Sequence, residues 1–61
     1  MNKRALEYAQ KREIMERLLT EWQKRPHERL GQLIVNALPV RMNSDPFYVE
    51  DYDLIEMIES R

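Results

Sequence analysis

Between Arg29 and Leu38 the chain reads Arg-Leu-Gly-Gln-Leu-Ile-Val-Asn-Ala-Leu, and Leu30, Leu33, Ile34, Ala37 and Leu38 recur at i, i+3, i+4, i+7 and i+8. A helix turns all five to one side. The spacing predicts a medium helix from about Pro26 or His27 to Leu38, which Pro39 stops. Upstream, from Asn2 to about Lys24, there is neither Gly nor Pro, and Ala, Leu, Glu, Lys, Arg and Gln dominate. These good helix formers predict a long first helix. Its clearest apolar stripe is Tyr8, Met15, Leu18, Leu19 and Trp22, bordered by Leu6 and Ile14. A helix of about 22 residues spans roughly 33 Å, more than so small a domain needs, and the overhang predicts a dimer surface. Glu7 with Lys11, Glu13 with Arg17, and Glu21 with Arg25 are i, i+4 pairs of favourable order on an expected solvated face.

Pro39 to Pro46 reads as the one convincing loop, with Asn43, Ser44 and Asp45 supplying turn chemistry before Pro46. Phe47 and Tyr48 then open a short extended or single-turn stretch expected to pack on the first two helices. Asp51 is the expected cap of a short third helix through about Ser60, with Glu50 and Asp53 placing negative charge near its N-terminus. Leu54, Met57 and Ile58 form the apolar side of that helix, with Ile55 beside them. The expectation is an all-α fold of three helices, long, medium and short, forming one domain over residues 1–61 that oligomerisation completes.

Composition sharpens this picture. Sixty-one residues bury only roughly 60% of the surface the unfolded chain exposes. With no cysteine there is no disulfide to compensate, and association is the usual remedy. No stretch approaches the roughly 18 apolar residues of a membrane span, and the start of the chain has no apolar signal core. The reading is cytoplasmic, without membrane partners. The net charge of −1 divides into +3 over residues 1–29 and −4 over residues 30–61. This complementarity suits packing within or between protomers and argues against nucleic acid, whose binders show a clear basic excess.

Candidate chemistry is sparse. His27-Glu28 begins a zinc-helix motif, but its fifth position is Gly31 and no second His exists. A single glycine rules out a phosphate-cradling loop, and the acidic run from Asp45 to Asp53 lacks the pattern of a calcium loop. No catalytic residues, metal ligands or cofactors are assigned, and the chain is read as not an enzyme. Gly31 itself is either a tolerated weak spot or a point of close approach by a helix or ligand, and the close approach is expected.

One polar constellation stands out. Arg25, Arg29, Gln32 and Asn36 recur at i, i+4, i+7 and i+11, a polar line beside the apolar stripe. Arg suits carboxylate or phosphate, so with Trp22, Phe47 or Tyr48 nearby the line could hold a flat anionic ligand between protomers. The plainer reading is the ordinary polar flank of an amphipathic helix, with Arg29 paired to the acidic half of the chain.

Trp22, Pro26, the run Arg29-Leu30-Gly31-Gln32-Leu33-Ile34, Asn36, then Asp45-Pro46-Phe47-Tyr48-Val49-Glu50-Asp51 and Asp53-Leu54-Ile55-Glu56 form a specific pattern over residues 18–60. It resembles a family of small uncharacterised proteins of bacteria, prophages and phages. The resemblance implies a phage or prophage setting and a helical accessory protein, and it makes no catalytic assignment. Two functions follow as expectations. A homo-oligomeric phage accessory protein could inhibit a host defence or replication protein, with Trp22, Phe47 and Tyr48 as anchors. Alternatively, a symmetric oligomer could sequester an anionic nucleotide signal.

Overall fold

The computed structural model describes residues 3–39 and 45–61. Among them are three helices and no strand: α1 (Tyr8–Gln23), α2 (Leu30–Ala37) and α3 (Asp51–Glu59). The fold is a small all-α domain in which α3 packs against both α1 and α2. It measures 30 × 27 × 16 Å. The short dimension is under two helix diameters of about 10–12 Å each, so little of any helix lies far from water. Accordingly the apolar core is small: Ala5, Ile14, Leu33, Ile55 and Ile58, with Leu18, Trp22, Ile34, Ala37, Tyr52 and Leu54 packed around it.

The first helix is shorter than its sequence suggests. It begins at Tyr8 and has 16 residues, about 24 Å, so most of the expected overhang is absent. Tertiary partners take the backbone upstream. Gln10 Oε1 accepts the N–H groups of Leu6 and Glu7 at 3.0 and 2.9 Å, closing the helix start. The Lys3 carbonyl accepts the Tyr52 N–H at 2.9 Å, and the Asp51 carboxylate accepts the Ala5 N–H at 2.7 Å. Asp51 therefore does not cap α3. Glu50 holds that position without a side-chain cap bond, and the Lys3 carbonyl satisfies one first-turn donor of α3. Lys3 Nζ adds an ion pair to Asp53 at 2.9 Å, which raises the Lys3 pKa.

The buried face of α1 is also displaced. Ile14 and Glu21 are buried and Leu18 and Trp22 pack on the core, whereas Leu6, Tyr8, Met15 and Leu19 are more than half exposed. The inward side is rotated by roughly 70° from the expected stripe, at 100° per residue. It contains polar members that a count of apolar positions misses. Glu21 lies on that side with its carboxylate on Lys24 at 2.9 Å, in place of the expected Glu21 and Arg25 pair. Arg17 meets Glu13 at 3.5 Å, as its spacing suggests, and also grips both oxygens of Glu59 at 2.8 and 2.5 Å.

Helix α2 starts at Leu30, four residues after Pro26. Leu33 is fully buried and Ile34 and Ala37 join the core, but Leu30 is 39% exposed. Leu38 is extended, as a residue before proline should be. On α3 the inward centre is Ile55 with Ile58, both fully buried, and Met57 is only half-buried. The expected loop residues Asn43 and Ser44 lie outside the described residues, as does Asn2 at the expected start of the first helix.

Candidate functional site

The polar line predicted from Arg25 to Asn36 does not form on one helix. Arg25 sits in the turn after α1, where the Arg25 N–H donates to the Trp22 carbonyl at 2.9 Å and the Glu28 N–H to the Arg25 carbonyl at 3.0 Å. Arg29 is the extended N-cap residue of α2, so only Gln32 and Asn36 share a helix. Gln32 is occupied structurally, its Oε1 accepting the Arg29 N–H at 2.8 Å. This is the only half of a capping box available here, because the Arg29 guanidinium has no acceptor to return to the helix.

Glu28 organises this end of the molecule, and sequence reasoning treated it only as part of a failed zinc motif. Its carbonyl accepts the Trp22 indole N–H at 2.6 Å. Its carboxylate receives both guanidinium arms of Arg61, at 2.6 and 3.1 Å, and the Asn36 amide at 3.4 Å. The Arg61 hydrogen bonds hold the Glu28 carboxyl below the usual glutamate range. Nothing in the local spacing marks this pair, because the two residues are 33 positions apart.

Two shallow grooves flank the Pro26 to Glu28 turn. Arg25, Gln32 and Asn36 line one; Trp22, Leu19 and Arg29 line the other. The Glu28 side of the turn borders both. Arg29 is exposed, and it makes no ion pair with the acidic half among the described residues. The structure therefore brings Arg25, Gln32 and Asn36 together, places Trp22 with Arg29 on the far side of the turn, and leaves Phe47 and Tyr48 out of both grooves.

Phe47 and Tyr48 are 78% and 86% exposed, so they do not pack on α1 and α2 as expected. The turn that carries them is hydrogen bonded: Asp45 Oδ1 accepts the Phe47 N–H at 3.0 Å, and the Pro46 carbonyl accepts the Val49 N–H at 3.0 Å. The rings meet edge to face with centroids 4.8 Å apart. Trp22 is different, half-buried and tied to Glu28, and belongs to the core.

A third feature is apolar. Where α1 and α3 meet, with Ile34 of α2 at the side, lies a groove lined by Ile14, Met15, Leu18, Ile34, Leu54, Ile55 and Ile58, with Asp51 as its one charged member. Its volume of about 140 Å³ is below the roughly 300–1,000 Å³ of small-molecule sites, so it suits an apolar side chain or two. Among the described residues a Cβ at Gly31 would meet nothing within 4 Å, so the expected close approach does not occur there. Among the described residues no group of His, Cys, Asp and Glu is placed to hold a metal ion, and no helix is long and apolar enough to cross a membrane. No family model, curated protein or solved structure matches the chain.

Proposed function

We propose that the chain is a non-catalytic protein-binding module, a homo-oligomeric accessory protein of phage or prophage setting that acts on a host protein in the bacterial cytoplasm. The observation that carries this reading is the exposed pair Phe47 and Tyr48 on a hydrogen-bonded turn. Large rigid aromatics supply much of the energy of protein interfaces, and a turn already ordered loses little entropy on binding. Asp45 and Glu50 flank the pair along the chain, so the complementary partner surface is an apolar pocket with a basic rim. Inhibition of a defence or replication protein is the corresponding action.

Sequestration of an anionic nucleotide draws less support. The Glu28 carboxylate stands at the turn between the two grooves, Gln32 spends its oxygen on the helix start, and Asn36 is turned toward Glu28. Arg61 already neutralises that carboxylate, so what counts against the ligand is that the Gln32 oxygen and the Asn36 amide are engaged within the chain.

The test is affinity capture from bacterial host lysate with the wild type and the Phe47→Ala, Tyr48→Ala double variant. A host protein retained by the wild type and lost from the double variant, at unchanged melting temperature, is the expected result. Equal retention by both removes the aromatic turn as the contact.

A further inference from the structure

We propose that the outer face of α1 seats a second copy of this chain, with the two α1 helices antiparallel about a two-fold axis near residue 14. The inference rests on the self-association in the reading above and is independent of the aromatic turn.

Tyr8, Met15 and Leu19 are 78%, 58% and 54% exposed. At 100° per residue they fall within roughly 40° of one another, one stripe along the helix. Met15 also lines the groove where the three helices meet, and with Ala5, Lys11, Ile14 and Asp51 it lines a crevice that continues that groove toward the start of the chain. Through Met15 and Ile14 the apolar surface therefore runs from the stripe into the groove, with Lys11 and Asp51 at its edge. Continuity of this kind marks an interface, whereas scattered single residues do not.

The charges on the other edge of the stripe, an i,i+4 pair within the helix, suit a second copy as the occupant. Arg12 and Glu16 lie there, 3.0 Å apart and about two-thirds exposed, at 67% and 65%. A two-fold axis near residue 14 brings Arg12 of each copy to Glu16 of the other, so the edge is complementary to itself when the helices run antiparallel. The same axis sets Tyr8 of each copy beside Leu19 of the other. A parallel pair would place Arg12 on Arg12 and Glu16 on Glu16, which repel. The need for a covering surface follows from the core, whose buried apolar side chains number five among the described residues.

Sedimentation equilibrium across a concentration series, with circular dichroism as the control for folding, tests the proposal. The wild type should dimerise. Met15→Glu, and Tyr8→Glu at the more exposed position, should each raise the dissociation constant at least about tenfold while the helical signal persists. Arg12→Glu and Glu16→Arg should each weaken the dimer, and an equimolar mixture of the two should recover it. Single charge variants that associate as well as the wild type overturn the antiparallel register. A dimer indifferent to Met15→Glu and Tyr8→Glu overturns this interface and leaves self-association standing. A wild type monomeric throughout overturns both.

Discussion

The Asp51 carboxylate accepts the backbone N–H of Ala5 at 2.7 Å, joining positions 46 residues apart. Beside it, the Lys3 carbonyl accepts the Tyr52 N–H at 2.9 Å, so the segment before α1 and the first turn of α3 satisfy each other's backbone groups. This exchange explains why Ala5 is buried and why α1 starts late.

Asp51→Ala leaves the part-buried Ala5 N–H without its charged acceptor. A hydrogen bond to a charged group contributes about 1.5–3 kcal/mol. The expected loss is in that range, about 4–8 °C in melting temperature per kcal/mol for a domain of this size. Asp51→Asn, which keeps an acceptor oxygen, should lose less. Thermal unfolding of both variants checks the order.

Trp22→Phe removes the indole N–H from the Glu28 carbonyl while keeping an aromatic ring at the position. The cost should be about 1–3 kcal/mol, because a part-buried carbonyl loses its partner. Denaturant titration followed by circular dichroism measures it, since the substitution removes the single tryptophan.

Gly31→Ala should stabilise the chain by about 0.4–1 kcal/mol. A Cβ at Gly31 meets nothing within 4 Å among the described residues, and the position is helical, so the gain comes from reduced freedom of the unfolded chain. A loss of stability in the monomer would show a contact at this position. A loss only at concentrations where copies associate would place Gly31 in an interface.

Stability should fall on acidification below the ordinary glutamate value of 4.5. The Arg17 hydrogen bonds hold the Glu59 carboxyl low, and the Arg61 hydrogen bonds do the same for Glu28. Each folded-state pKa lies below its unfolded value. The stability each carboxylate adds is therefore present above 4.5 and lost as pH falls through the lowered folded value. Both pairs are partly solvated, so the effect should be modest and screened by salt. Glu59→Gln and Glu28→Gln should flatten the acid limb of a melting-temperature profile while lowering its plateau.

The three helices and their order were legible in the chain, because period and proline placement are local properties. Leu33, Ile34 and Ala37 face inward as their spacing implies, and Leu38 is extended ahead of Pro39 as any residue before proline is inclined to be. Helix starts and the inward side of α1 were not legible. Residues 3–6 have good helix-forming composition, yet their backbone is drawn to α3, where Asp51 and Tyr52 offer partners no local pattern announces. Glu21 lies buried and Tyr8 exposed because packing against α3 sets the rotation of α1, and Arg17 locks it to Glu59. The candidate site divided in the same way. The composition of the aromatic turn was readable, but the outward placement of Phe47 and Tyr48 and the role of Glu28 depend on contacts between residues distant along the chain. Periodicity constrains which residues share a helix face; which face turns inward depends on the neighbouring helices it meets.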